Sequence, residues 1–396
     1  MRQLYLAATG QNRGKTTAAL GLFNGFVDRG LHAGFMKPVG QRTVDVDGLP
    51  ADEDAVLMRE TFSLDEPYSV LSPVHIPRGF TKAYIAGEVV DDLGAKIRRA
   101  HATFSAHDVL LVEGTGHAGV GAVIGLSNAV VAAKLGTPAI IVSEGGVGRP
   151  IDEIVLNASL FTKEGVPVAG AIVNKVDLAA QPGLERVLER GLAPYGIPLL
   201  GVLPVSPILS NPTLEMILEG LDGDTIHAGP DLERVIDGVA IGAMEPGHML
   251  ERVGPKTLVI VPGDREDVIL TLTTAHLMGS PRSASVQELT QPTLQLEEAH
   301  AGAAIGLVLT GGYRPRQAVI SAIRRADIFA TLVPRDTYSV ASEVHDLLVK
   351  THAADREKIE LIKELVASNL DIDRILSVAA EADGAGEVPS STRPAS

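Results

Sequence analysis

The residues best suited to do chemistry lie near the N-terminus, where an apolar stretch from Leu4 runs into a glycine-containing loop and then an amphipathic pattern. Glycines let backbone amides face phosphate oxygens, and the following helix adds its positive N-terminus. Lys15 is placed to reach the outer phosphates, and Thr16 to ligate Mg²⁺. The predicted phosphate-binding residues are Thr9, Gly10, Gln11, Asn12, Arg13, Gly14, Lys15, Thr16 and Thr17. We therefore expect a nucleoside triphosphate site, although the usual pattern has glycine in place of Thr9.

Two carboxylates are candidates to complete a metal site with Thr16. Glu113 ends the apolar run LLVE and is followed by glycine, which is typical of an acid at the carboxyl end of a buried strand. Asp54 closes an acidic run that opens a helical segment, so its alternative role is to favour that helix N-terminus. Mg²⁺ on a nucleotide needs few protein oxygens. We expect Thr16, Asp54 and Glu113 to hold Mg²⁺.

A third polar group, Asn174, Lys175 and Asp177, follows the apolar run VAGAIV. It is similar to the Asn-Lys-x-Asp loop with which many P-loop GTPases read the base. An amide can both donate to and accept from a purine edge, so we expect Asn174 to contact the base. A polar turn is the alternative, and the loop alone leaves ATP and GTP both open.

These residues need a scaffold, and the hydrophobic pattern supplies an α/β one. Buried-type strands alternate with helical patterns, which predicts a parallel sheet whose ligands collect at the carboxyl ends of its strands. The predicted strands are Gln3–Ala8, Ala33–Val39, Asp108–Glu113, Pro138–Ser143, Val168–Asn174 and Leu199–Pro204. The first domain is therefore expected to span residues 1–210.

A second, smaller α/β domain is predicted over residues 213–350. Its strands are expected at Thr257–Val261, Ala304–Leu309 and Ile328–Val333, with a long connection near residues 279–302. We expect a crossing between the domains in the proline- and glycine-broken segment Ser206–Gly229. A C-terminal helical segment follows over 351–380, and the tail 381–396 is expected to be disordered.

Composition excludes several classes of protein. The 396 residues carry a formal net charge of −15 without a Lys/Arg cluster, which argues against nucleic acid as a partner. The chain has no cysteine, so disulfides, thiolate nucleophiles and cysteine-based metal sites are excluded. It shows no long apolar run and no leader pattern at its start, so we expect no membrane association and a cytoplasmic location.

The first half resembles dethiobiotin synthetase and its relatives. The resemblance is carried by the loop 9–17, Lys37-Pro38-Val39, Asp54, the strand that ends at Glu113, the AIVNKVD run and residues 201–204. It implies an ATP-dependent ligase fold, with Lys15 and Thr16 in phosphate and metal roles, Asp54 and Glu113 as metal ligands, and Asn174 near adenine. Lys37 would then stabilise negative charge during acyl-phosphate or carbamate chemistry. Gly40-Gln41-Arg42 departs from that family, which indicates an altered substrate pocket.

The second half resembles the DRTGG domain through Asp264 and Arg265 and through Thr310, Gly311 and Gly312. These five residues form a candidate second ligand site, with a helix cap and a tight turn as the alternative roles. Long-type bacterial phosphate acetyltransferases carry both of these domains ahead of their acyltransferase domain. The resemblance is therefore to their non-catalytic N-terminal part, and acetyl transfer by this chain alone is not expected.

Three functions remain open from the sequence. The first is a Mg²⁺-dependent ATPase that senses an unknown small metabolite through its DRTGG domain. The second is an ATP-dependent ligase that phosphorylates a carboxylate or carbamate. The third is a nucleotide-binding subunit that does not hydrolyse the nucleotide and docks on an acyltransferase partner. The family resemblance also implies a homo-oligomer.

Overall fold

The structure of the protein is a computed structural model that describes residues 1–46, 48–77, 79–89, 91–206, 209, 212–279, 304–346, 351, 353 and 355–384. The chain divides into two compact units. The first comprises Met1–Ser206 and the described residues after Lys350, and the second comprises the described residues in between. Residues 280–302 of the predicted connection and residues 385–396 of the predicted tail lie outside the described residues.

A parallel six-stranded sheet forms the centre of the first unit, in the order β10-β9-β8-β1-β7-β2. Its strands are β1 (Arg2–Ala8), β2 (Ala33–Met36), β7 (Val109–Glu113), β8 (Ala139–Glu144), β9 (Val168–Val176) and β10 (Leu199–Pro204). Every residue of β7 is buried, as expected for a strand covered on both faces. The predicted α/β parallel sheet is confirmed.

Helices and two small ladders surround this sheet. The helices are α1 (Lys15–Asp28), α2 (Glu53–Phe62), α3 (Tyr68–Leu71), α4 (Phe80–Ile85), α5 (Leu93–Ala102), α6 (Asn128–Leu135), α7 (Gly148–Lys163) and α8 (Leu184–Leu192). The ladders pair β3 (Val39–Gly40) with β6 (Val74–His75), and β4 (Thr43–Val46) with β5 (Leu49–Asp52).

One predicted strand is shorter than expected. The run Ala33–Val39 leaves the main sheet after Met36, and Val39 pairs in a separate ladder. Pro38 has no N–H and cannot continue a sheet ladder, which explains the break. As a result, Lys37 lies just past the carboxyl end of β2, where its backbone N–H donates to the carbonyl of Leu71.

The second unit has a five-stranded sheet in the order β11-β15-β14-β13-β12, parallel except for the antiparallel pairing of β11 with β15. Its elements are α9 (Leu214–Leu221), β11 (Asp224–His227), β12 (Gly238–Ile241), α10 (Pro246–Leu250), β13 (Thr257–Pro262), α11 (Glu266–Gly279), β14 (Gly306–Thr310), α12 (Gln317–Ala326), β15 (Phe329–Leu332) and α13 (Thr337–Asp346). Apolar residues cover both faces, because Val259 and Val261 enter one core and Leu258 and Ile260 the other.

The sequence patterns missed the two edge strands of this sheet. Strand β11 lies inside Ser206–Gly229, which we expected to be a crossing between domains. Both β11 and β12 are four residues long and partly exposed. A short edge strand lacks the continuous apolar run that identifies a buried strand, so periodicity gives little signal there.

The C-terminal helices α14 (Arg356–Asn369) and α15 (Ile372–Gly384) pack on the first unit. The two helices pack closely against glycines of α1. A Cβ on Gly21 would collide with Val366, and one on Gly25 would lie 3.0 Å from Ile372. Helix α15 continues to Gly384, so the prediction of disorder from residue 381 was wrong for 381–384. The apolar residues Ile375, Leu376 and Ala379 of this helix are buried, which stabilises the helix up to that point.

Candidate functional site

The loop that follows β1 has the backbone of a phosphate cradle. Helix α1 begins at Lys15, so its first N–H groups lack acceptors within the helix and point toward the loop. Asn12 and Gly14 both have positive φ angles, of 59° and 83°. Glycine is needed at position 14 for two reasons. Its positive φ angle disfavours other residues, and a Cβ there would collide with the Asn174 amide. Thr16 and Thr17 lie in the first turn of α1.

Glu113 is the centre of the charged site. This carboxylate is fully buried at the end of β7, the strand next to β1. Its Oε1 atom accepts hydrogen bonds from Lys15 Nζ, from Thr16 Oγ1 at 3.1 Å and from Lys37 Nζ at 3.2 Å. Donors from two segments that are distant from Glu113 in sequence, the start of α1 and the end of β2, therefore converge on one oxygen.

Asp54 completes this group of residues from the first turn of α2. Its Oδ2 accepts from Lys37 Nζ, and its Oδ1 lies 3.2 Å from Thr16 Oγ1, whose single hydroxyl hydrogen is shared between Asp54 and Glu113. The structure thus brings Thr16, Asp54 and Glu113 together, with Lys15 and Lys37 as counter-ions of the two carboxylates. We call these five residues the charged cluster.

Burial and charge pairing act against each other in the charged cluster. Burial alone would lower the pKa of Lys37, but Asp54 and Glu113 outweigh it and hold that pKa well above its ordinary value. Burial would raise the pKa of Asp54, yet Lys37 and Lys15 lower it to about 2. Burial lowers the pKa of Lys15, and Glu113 opposes that shift. Lys37 and Asp54 are therefore both charged at neutral pH.

Asp52 lies beside the charged cluster and titrates differently. It caps α2 by accepting the Asp54 N–H at 3.0 Å, and it is almost completely buried. Burial raises its pKa to about 6, against the opposing effect of Lys37. A Cβ on Gly40 would lie 2.6 Å from its Oδ2, so the glycine makes room for this carboxylate.

The donor set of the charged cluster suits a hard cation. In the described part of the chain, Glu113 Oε2 is buried and has no hydrogen-bond partner. With the Thr16 hydroxyl and the Asp54 carboxylate, it supplies the oxygen ligands that Mg²⁺ prefers. No group of three or more His, Cys, Asp or Glu side chains is placed to hold a metal among the described residues. The fit is to Mg²⁺ held by few protein oxygens.

The predicted base-reading loop is bonded to the phosphate loop. Asn174 Nδ2 donates to the carbonyl of Arg13 at 3.1 Å, and Lys175 Nζ donates to that of Asn12 at 2.9 Å. Asp177 accepts the N–H of Ala180 at 2.9 Å and so closes its own turn. Asn174 and Lys175 therefore support the cradle, and a contact of Asn174 with a purine stays a prediction.

Two glutamates that the sequence analysis missed hold the outer side of the same loop. Thr9 Oγ1 donates to Glu153 Oε2 at 2.9 Å, which gives the residue in place of the usual glycine a structural role. Arg13 pairs with Glu144, which also lies 3.1 Å from Lys175 Nζ. Glu144 ends β8 as Glu113 ends β7, so an acid at a strand end was the available signal.

Residues of the candidate second ligand site make hydrogen bonds within the second unit. These residues do lie together at the carboxyl ends of β13 and β14. The N–H groups of Gly311 and Gly312 donate to the carbonyls of Arg335 and Val333 at 2.7 and 3.0 Å. Thr310 Oγ1 lies 2.7 Å from the hydroxyl of Thr337.

The Asp264–Arg265 turn is likewise bonded locally. Arg265 binds both oxygens of Asp267 at 3.0 Å and the carbonyl of Met244 at 3.1 Å, while Asp264 is exposed. The first turn of α11 carries Glu266 and Asp267, which disfavour an anion at that helix N-terminus. A ligand at these five residues stays a prediction.

Comparisons with known proteins agree with this architecture. Residues 2–213 match the model of an AAA domain family, and residues 216–347 match that of the DRTGG domain. The phosphate acetyltransferase of Pseudomonas putida is 27% identical over 394 residues, covering 94% of this chain and 51% of that protein. The phosphate acetyltransferase of Deinococcus radiodurans is 26% identical, covering 94% and 50%. The chain thus spans about half the length of these curated relatives.

Among solved structures, MinD of Pyrococcus horikoshii in complex with Mg-ADP matches with 16% identity and a TM-score of 0.33, covering 52% of this chain and 83% of that one. No helix in the described residues is long and apolar enough to cross a membrane. The family match covers more than half of the chain and contains the whole charged cluster, so this chain belongs to the AAA domain family and continues into a DRTGG domain.

Proposed function

We propose that the first unit binds ATP with Mg²⁺ and that the chain is a P-loop ATPase with a regulatory or metabolite-sensing role. The observation that carries this proposal is the convergence of Lys15, Thr16 and Lys37 on the buried Glu113. Lys15 and the N-terminus of α1 would hold the phosphates. Thr16, Asp54 and Glu113 would hold Mg²⁺, which when bound neutralises charge on the phosphates.

A second candidate function is an ATP-dependent ligase that phosphorylates a carboxylate or carbamate. Lys37 favours it, because this buried ammonium is a second cation in the site beyond the lysine that the cradle supplies. A preorganised cation of this kind stabilises negative charge that develops during phosphoryl or acyl transfer.

The relatives suggest the reaction with which this chain is associated. They are phosphate acetyltransferases about twice as long as this chain. We propose that acetyl transfer itself needs the part of those proteins that this chain does not match. An acyltransferase is therefore the proposed partner, and an acyl phosphate or related metabolite the proposed signal. The homo-oligomer and the cytoplasmic location remain proposals.

The test is calorimetric titration with Mg·ATP and Mg·GTP, followed by phosphate release with and without candidate acyl phosphates and carboxylates. We expect binding that is lost in Lys15→Ala and kept in Lys134→Ala, which changes an exposed lysine on α6. Circular dichroism would confirm that both variants are folded. Equal binding by Lys15→Ala and the wild type would overturn the proposal. Turnover stimulated by a carboxylate would favour the ligase instead.

A further inference from the structure

The carboxylates that would ligate a metal are already neutralised by lysines. Lys15 and Lys37 both donate to Glu113 Oε1, and Lys37 also donates to Asp54 Oδ2. Within the charged cluster, two ammonium groups thus face two carboxylates, and the Asp52 carboxylate lies beside them. The four charges of the cluster itself sum to zero, although every member belongs to a predicted phosphate or metal site.

This charge balance matters because the charged groups are buried. The side chains of Lys37 and Glu113 are 5% and 0% exposed. Adding a bare divalent cation would place two extra positive charges against two ammonium groups, where water screens them poorly. To enter, the cation would have to separate a buried ion pair and leave an ammonium group without its counter-ion, which is strongly unfavourable.

A triphosphate changes this balance, because it brings its own negative charge. Lys15 is the first residue of α1 and directly follows the phosphate loop, so phosphate oxygens bound there would compete with Glu113 for its ammonium group. Once Lys15 turns to the phosphates, Glu113 Oε1 loses one of its donors, and the excess negative charge attracts a cation. Lys37, whose strand end is fixed by its backbone bond to Leu71, stays beside Asp54.

We propose that Lys15 and Lys37 act as built-in counter-ions that keep the site closed to free divalent cations, so that the metal binds together with a triphosphate. The inference rests on the proposed function and adds an order of binding to it. By linkage, the metal must strengthen triphosphate binding by the same factor as the triphosphate strengthens metal binding.

Mn²⁺ provides the probe, because free Mn²⁺ can be counted directly by electron paramagnetic resonance. The experiment titrates Mn²⁺, without nucleotide, into the full chain and into Lys37→Met. We expect the variant to gain one Mn²⁺ site at least about 10-fold tighter than any in the wild type, within the usual range of coupling between sites. Lys134→Met is the matched control and should behave as the wild type. The double variant Lys37→Met/Asp54→Asn should lose the gain.

Two results would overturn the inference. One is a tight Mn²⁺ site in the wild type without nucleotide that disappears in Asp54→Asn. The other is no gain in either Lys37→Met or Lys37→Gln when circular dichroism shows that both are folded. Failure of the proposed function is a separate result, since it appears as an absence of ATP and GTP binding by the wild type with metal present.

Discussion

The carboxyl ends of the strands in the two sheets carry similar residues and use them differently. In both sheets, the edge formed by the carboxyl ends of the strands has glycines with positive φ angles, a helix N-terminus and paired charges. In the first unit the charges are buried and meet at Glu113. In the second they form pairs near the surface, such as Arg316 with Glu266, and the glycine amides bond within the unit. The two sheets therefore differ in whether the opposed charges at their carboxyl ends are buried, and this difference marks the first unit as the candidate site.

The largest expected difference between the two edges comes from removing one carboxylate from each. Glu113→Gln should lower the free energy of unfolding by about 3 kcal/mol, because it leaves two buried ammonium groups with one carboxylate. Glu266→Gln removes the partner of an exposed arginine and should change stability little. Urea unfolding followed by circular dichroism measures both variants. Equal changes would mean that burial does not distinguish the edges.

A second comparison places alanine at one glycine on each edge. Gly14→Ala should weaken ATP binding about 100-fold, because a left-handed alanine costs about 1–2 kcal/mol and the Cβ collides with Asn174. Gly311→Ala has a similar φ angle, 81° against 83°, and should lower thermal stability without changing ATP affinity. Calorimetry and thermal unfolding report the two effects. Weaker ATP binding in Gly311→Ala would contradict a purely structural role for the turn at Gly311.

The buried Asp52 should make the stability of the first unit depend on pH. Its pKa is raised from 3.8 to about 6, so the folded state holds this proton more tightly than the unfolded chain. Its contribution to stability is therefore full below about pH 4 and is lost as the pH rises to about 6. Asp52→Asn, which keeps a good helix cap, should stabilise the protein by up to about 3 kcal/mol at pH 7.5, since each pKa unit between 3.8 and about 6 is worth about 1.4 kcal/mol.

The same variant should make almost no difference at pH 4, where Asp52 is protonated when folded. Asp264→Asn is its control at the other edge, because Asp264 is exposed. Denaturant midpoints at pH 4 and 7.5 test the pair of variants. A gain for Asp52→Asn that is equal at both pH values would rule out titration as its cause.

The smallest effect is expected for Arg265→Ala. Its bonds to Asp267 and to the carbonyl of Met244 join the turn before α11 to the loop after β12. Losing such exposed bonds should cost about 1 kcal/mol and leave ATP binding unchanged. Hydrogen exchange should show faster opening of residues 243–268 only. If a metabolite that binds the wild type no longer binds this variant, Arg265 belongs to a ligand site after all.

The sequence predicted the parts of the fold that have strong periodic signals. The continuous apolar strands of the first sheet were recognisable, as was the loop 9–17 between β1 and α1. The edge strands β11 and β12 and the packing of α14 and α15 on the first unit were not. Edge strands are short and half-exposed, and the partner of an amphipathic helix is a long-range choice that a local pattern does not contain.

The sequence by itself determined which residues carry the charge and where along the chain they lie. Lys15 and Asp54 lie in the first turns of helices, Lys37 follows the end of β2, and Glu113 ends β7. The parallel direction of the strands then made their meeting at one edge predictable. Only the tertiary structure decided how they pair, that two lysines share Glu113, and that Glu144 and Glu153 hold the loop. Distances of a few ångströms between segments up to 163 residues apart depend on the packing of the whole unit, which short-range patterns do not encode.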